Sequence, residues 1–513
     1  MKKTFFVLPI NDHQPKESMK RYEIYRGDTL LYDFRACIDP DHTQYYAYLD
    51  VTRLGDPSEL KLVDEEGKTI TFTVASTIPE LEQIPGGTLF RPEAHFTTKI
   101  GWTNDPNGLV FKNGVYHMFY QHNPVSTRWE NMTWGHAVST DLVHWKEQGD
   151  SIFPDEAGTV FSGSAIVDEK NAAGFGEGAI LLFYTAAGGT SKLSAEKRFT
   201  QCVAYSLDEG KTFVKYEKNP VIPHIVGRNR DPKVQWSDEL GKYTLSLFLD
   251  EHTYAVFSSD NLLSWERIFD VAMPLDRECP DFYPLPFEGS VKWVFSGAND
   301  SYIIGTIKQG VFVLEQENLS YLIKPGNSYA AQTFSGTGAR RIKIPWGKVY
   351  APGAIFRSQM GVPAETYLKR VNGIVRLGSY PVKELSLLKK SGTELDFGGN
   401  GSASINVPSD TAVDVSLEIG SVCAAFTIGC FGMEIDVDPI HRTYTHGDCT
   451  APLTYDGKLS MRVLFDTLGL EVFADEGLVY SAMNGIADRS AGFTITSDSK
   501  TEIRLKIDFL SMN

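Results

Sequence analysis

The chain has 513 residues, with 49 Lys+Arg against 65 Asp+Glu for a formal net charge of −16, and it is 42% hydrophobic and 12% aromatic. That much apolar material fills large cores, and the length predicts roughly two to four domains. The negative charge, with no run of even five Lys/Arg to offset it, excludes nucleic acid as a partner, and the absence of any apolar run of about 18 residues excludes a membrane-spanning helix.

In chain order, the apolar stretch Thr4 to Ile10 is broken early by Asn11-Asp12, too short for a signal sequence, so the expected location is the cytoplasm. Residues 1–92 carry charged strands such as Glu59 to Val63 and Thr69 to Val74 and end near Pro85-Gly86-Gly87; they predict a small N-terminal β accessory module. From there to residue 355 the hydrophobic runs are short and rich in Val, Ile, Phe, Tyr and Thr: Gly114 to Tyr120, Ala179 to Tyr184, Lys242 to Leu249, Tyr254 to Ser258 and Lys292 to Phe295. Each is bounded by turn-forming residues, which reads as strands and not helices. Beyond Pro352-Gly353 the pattern becomes alternating strands with Ser/Gly/Asp turns, namely Ala412 to Ile419, Met433 to Val437, Leu459 to Phe465, Leu470 to Phe473 and Ile503 to Phe509. Residues 356–513 therefore predict a separate β-sandwich.

Within residues 93–355 a Ser-x-Asp followed by an aromatic recurs as Ser139-Asp141-Trp145, Ser206-Asp208-Phe213 and Ser258-Asp260-Trp265. Each copy ends a strand in an Asx-type turn before an aromatic re-enters the core. The spacing fits four-stranded units with variable loops, the signature of propeller blades. The six cysteines (Cys37, Cys202, Cys279, Cys423, Cys430 and Cys449) are scattered and form no C-x-x-C pair, so they read as reduced, mostly buried side chains.

Three acidic motifs fall on what would be different blades: Asn104-Asp105-Pro106, Arg230-Asp231-Pro232 and Arg277-Glu278-Cys279-Pro280. Singly, an acid beside proline is a turn residue. Together, radial symmetry would bring these acids to one axial funnel, where carboxylates shift one another's pKa and divide into a charged nucleophile and a protonated acid.

The ordered motifs WTNDPNG (102–108), FYQHNP (119–124), WENMTWGHAVSTDLVHW (129–145), FSGSA (161–165), RDP (230–232), REC (277–279), YAAQTF (329–334), RRIKIPW (340–346) and LEVFADEG (470–477) resemble glycoside hydrolase family 32, the β-fructofuranosidases. The resemblance implies an all-β protein, a five-bladed β-propeller catalytic domain followed by a lectin-like C-terminal sandwich. It implies a retaining hydrolase of fructose-containing oligo- or polysaccharides that needs no cofactor and no metal. In that reading Asp105 is the nucleophile, Glu278 the general acid/base and Asp231 the transition-state stabiliser, with the Asp105 and Glu278 carboxyl groups about 5–5.5 Å apart.

The same resemblance makes Asn104, Gln121, Trp129, Trp134, Ser162, Tyr184, Arg230 and Tyr329 substrate-binding residues. The chain departs from the family pattern at Thr103, where an apolar residue is usual, at Glu130, where glycine is frequent, and at Asn327-Ser328-Tyr329, where an aspartate usually leads. Two other readings share the fold: a fructosyltransferase using the same covalent intermediate, and a carbohydrate-binding protein without catalysis. Retention of Asp105, Asp231 and Glu278 together speaks against the second, because a binding module has no need of buried acids that destabilise it.

Overall fold

The computed structural model describes residues 3–320, 327–419, 424–455 and 458–512; Cys423 lies outside them. Almost every regular element is a strand, and the helical segments among the described residues are short 3₁₀ turns, the longest Lys383–Leu388.

Five sheets follow one another in sequence, and their innermost strands are Gly101–Lys112, Thr159–Asp168, Arg230–Ser237, Asp281–Phe287 and Ser328–Thr333. Middle strands such as Ala179–Ala187 are buried along their whole length, because each blade packs face to face on the next and both faces must be apolar. The inter-blade cores close the ring. Phe119 and Trp134 meet Val160 and Leu182; Leu181 and Phe183 meet Leu245 and Leu247; Phe248 and Val256 meet Phe282 and Trp293. Tyr283 and Val294 then meet Val362 and Leu377, and Met118 and Leu109 return to Phe334 and Ile344. This is a five-bladed β-propeller.

The turn repeat is present in the first three blades, where it joins the third strand to the outermost one. Ser139 Oγ and Ser206 Oγ donate to Asp141 and Asp208 at 3.0 and 2.8 Å. The third copy sits one residue later than expected. Ser259, not Ser258, donates to Asn261, whose Oδ1 accepts the Leu263 and Ser264 amides, while Asp260 pairs with Lys242 on the surface. The amide oxygen of Asn261 does what the carboxylate of Asp141 does, and Leu142 and Leu262 share the same left-handed backbone before the tryptophan.

The boundary expected at residue 355 falls inside the fifth blade. Ala364–Val371 and Ile374–Pro381 extend the sheet begun by Ser328–Thr333 and Ile342–Gly347, so Pro352-Gly353 marks a connection within the propeller. After Pro381 a ten-stranded sheet folds over a core that includes Val415, Ile428, Val463, Val472, Ile495 and Leu505, forming the C-terminal sandwich. At the other end, two three-stranded sheets enclose Phe6, Leu8, Ile24, Phe34 and Leu49, and this N-terminal module extends its core onto Ile100 and Val125 of the propeller.

Candidate active site

Two of the three acids, Asp105 and Asp231, lie where a strand begins irregularly, and Glu278 precedes the strand Asp281–Phe287. The pairing of the first blade's inner strand slips between Thr103 and Pro106, and that of the third blade's slips between Arg230 and Lys233. Proline has no N–H to give to a ladder, so Asp-Pro interrupts the pairing at the acid and the resulting bulge re-aims its side chain. A further slip between Phe161 and Gly163 does the same for Ser162. Asp231, Glu278 and Cys279 hold left-handed backbone, with φ of 65°, 60° and 38°. Such strain persists only where surrounding structure imposes it. Gly108 is also left-handed, and a side chain there would strike Phe119 and Trp134.

These devices bring the acids to one cavity of about 300 Å³, lined by Asn104, Asp105, Gln121, Trp129, Phe161, Ser162, Arg228, Arg230, Asp231, Glu278, Tyr329 and Trp346. Ser162 Oγ donates to Asp105 Oδ2 at 2.7 Å, and Tyr329 Oη donates to Glu278 Oε2 at 2.9 Å. Arg230 Nη2 donates to Glu278 Oε1 at 2.5 Å, while its Nε lies 3.6 Å from Asp231. Cys279 ties the acids together: its thiol is 3.6 Å from both Asp105 Oδ2 and Asp231 Oδ2, and its N–H donates to Asp231 at 3.1 Å. The Thr185 hydroxyl accepts the Asp231 N–H at 2.9 Å.

Two of the three carboxyl groups, those of Asp231 and Glu278, share the Arg230 guanidinium. Burial pushes Asp105 above its ordinary range, opposed by hydrogen bonds from Ser162 and Asn104 and assisted by the charge of Glu278. Burial likewise pushes Asp231 up to about 7, against the pull of Arg230 and with the repulsion of Glu278 and Asp105. The Cys279 thiol is driven up by burial and the three neighbouring acids, so it stays protonated and donates. Gln121 is buried, and its Nε2 makes no hydrogen bond within the protein, leaving a donor for a ligand in the cavity.

Nine of the eleven site residues expected from the sequence line this cavity, and two do not. Trp134 is fully buried between the first and second blades, its Nε1 donating to the Phe161 carbonyl at 3.1 Å, and Tyr184 packs against it in the same core. They stand one layer behind Phe161 and Ser162 and hold the wall from outside. Thr103 is also buried, with its hydroxyl unpartnered, and it does not line the cavity. Phe161, Arg228 and Trp346 are lining residues not singled out from the sequence. Phe161 and Trp346 belong to motifs already noted, whereas nothing in the sequence distinguishes Arg228 from any exposed arginine.

Residues 95–372 match the model of the glycosyl hydrolases family 32 N-terminal domain. The chain is 30% identical to a levanase of Bacillus subtilis over 454 residues, covering 76% of this chain and 65% of that protein. It is 32% identical to an extracellular exo-inulinase of Aspergillus niger over 403 residues, covering 66% of this chain and 74% of that one. Among solved structures, the exo-inulinase of Aspergillus awamori superimposes with a TM-score of 0.75 at 25% identity, covering 83% of this chain and 99% of the other. With more than half of its length matched by the family model and its carboxylates gathered at one end of a five-bladed propeller, the chain belongs to glycoside hydrolase family 32.

Proposed function

We propose that this glycoside hydrolase releases terminal β-D-fructofuranosyl residues from sucrose or fructans by double displacement. The observation that carries the reading is the convergence of Asp105, Asp231 and Glu278 on one sugar-sized cavity, bridged by Cys279 and Arg230. In the first step an Asp105 oxygen attacks the anomeric carbon, the glycosidic C–O bond breaks, and the Glu278 proton passes to the departing oxygen. In the second step Glu278 takes a proton from water, whose oxygen attacks the same carbon and frees Asp105. Asp231 would hold the sugar hydroxyls and, in its ionised form, stabilise the oxocarbenium-like charge. Ser162 holds Asp105 Oδ2, and Tyr329 and Arg230 hold the Glu278 carboxyl between them.

Separate incubation with sucrose, inulin and levan, with products resolved by size, tests the reading. Free fructose is the expected product. Oligomers alone would require internal cutting, and longer or cyclised chains would require transfer to a sugar in place of water.

A further inference from the structure

The loop between the second and third strands of the first blade, residues 124–132, carries Trp129 to the mouth of the cavity. Trp129 is 43% exposed and meets Phe161 edge-on, at 5.8 Å between ring centroids. A large indole on a long loop has to be held from somewhere, and the propeller supplies part of the hold: the Asn123 amide donates to the Arg128 carbonyl, and its oxygen accepts from the Val125 N–H and the Asn131 amide. The rest comes from the N-terminal module, which lies outside the matched family region.

Asp12 of that module accepts from Ser126 Oγ at 3.0 Å and, at 2.6 and 2.9 Å, from the N–H and hydroxyl of Thr127. Tyr45 of the module donates to the same carboxylate at 2.7 Å, fixing its direction. Arg128 returns the contact by donating to the carbonyls of Asp12 and Gln14. Asn131 exchanges two hydrogen bonds of 2.8 Å with the backbone of Arg35, in the left-handed conformation that asparagine tolerates. Glu130, the charge that stands where the family has glycine, lies 3.5 Å from Lys16 and 3.8 Å from Arg35. From 126 to 131, therefore, each residue flanking Trp129 is tied to the module and Trp129 itself faces the cavity.

We propose that the N-terminal module is a working part of the fructoside site: it presents Trp129 to the substrate, and Asp12 is the positioning residue through which it does so. This rests on the reading of the cavity as a fructosyl-releasing site. Among the described residues the module touches the indole's neighbours and none of the acids, so its removal should weaken substrate capture and leave the chemical step nearly intact.

The test is a double-mutant cycle on the full chain with sucrose as substrate, using Asp12→Ala, Trp129→Ala and both together. Each single variant should raise KM about tenfold with kcat within about threefold, and the double variant should be no worse than Trp129→Ala alone. Effects that add, or that fall on kcat, would overturn the proposal. A second measurement needs no turnover: acrylamide quenching of the wild type minus that of Trp129→Phe isolates the Trp129 emission. Asp12→Ala should make that component more accessible, and unchanged quenching would overturn the proposal even if sucrose were not a substrate. Conversely, a protein that released fructose from no substrate yet passed the quenching test would lose the enzymatic reading and keep the module's hold on Trp129. Should Asp12→Ala melt below assay temperature, Asn131→Gly keeps the left-handed backbone, removes both bonds to Arg35 together with one to Asn123, and should give the same two results.

Discussion

Two sets of buried charges are carried by the same propeller strands and are treated in opposite ways. On the third blade Asp231 belongs to the cavity, and two residues further Lys233 reaches Asp281 of the fourth blade at 3.5 Å and donates to the Thr333 carbonyl. Between the fourth and fifth blades Asp300 and Lys343 pair at 2.9 Å. In this deeper set every amine has its carboxylate, and burial lowers both lysines while the partner acids hold them charged. In the cavity, among the described residues, Arg230 is the one cation within ion-pair distance of a carboxyl group; it reaches Asp231 and Glu278 and leaves Asp105 without an ion pair, with Arg228 and Lys348 farther off. Burying an uncompensated charge destabilises a fold, and burying a paired one is near neutral. The propeller thus matches charge where charge is structural and leaves it unmatched where a sugar with a developing positive charge would supply the balance.

Removing an acid from a cavity where carboxyl groups outnumber their ion-paired cation should therefore abolish turnover without harming the fold. Asp105→Asn and Glu278→Gln should each lower kcat on sucrose about 10³-fold or more, with melting temperature unchanged or raised. A variant of Asp105 that released fructose at close to the wild-type rate would break the comparison at its centre. Removing one member of a matched pair should do the reverse. Lys343→Met leaves Asp300 buried and alone, at a cost of about 3–5 kcal/mol in denaturant unfolding, with kcat per folded molecule unaltered. Adding Asp300→Leu to Lys343→Met should recover most of that loss; if the single variant were as stable as the wild type, the pair would not be the compensated set described above.

The same contrast explains how much was legible in the sequence. Asp105 and Asp231 could be found because the proline that breaks the ladder beside each and turns it toward the cavity is written next to it. The resemblance puts Trp134 in the cavity because it sits in a matching motif, and Tyr184 because it matches a pocket position. A motif does not say which side of a strand faces the axis, and one layer of side chains separates them from it. The third turn copy was displaced by one residue because Ser258 and Ser259 both offer a hydroxyl, and only pairing tells which one ends the strand. The domain boundary failed similarly, since a Pro-Gly connection reads alike within a blade and between domains. Contacts such as Asp12 with Thr127 span more than a hundred residues, beyond any local pattern.

The unmatched set also has a signature in stability against pH. Asp231 holds its proton up to about 7 in the folded protein, because burial and the neighbouring acids outweigh Arg230. An unfolded aspartate releases it at about 3.9. The folded state therefore binds the proton more tightly, so its stability declines as pH rises from about 4 to about 7, and the full penalty is present above that. Asp231→Asn removes the group that carries the penalty and should lose activity as Asp105→Asn does. Its melting temperature should equal that of the wild type near pH 4 and exceed it by a few degrees at pH 8. The matched acid Asp300 keeps Lys343 against it, so a variant there should fall in stability at both pH values. Equal melting shifts for Asp231→Asn at pH 4 and pH 8 would mean that Arg230 already balances this carboxylate, and the cavity would then differ from the deeper pairs in position but not in charge.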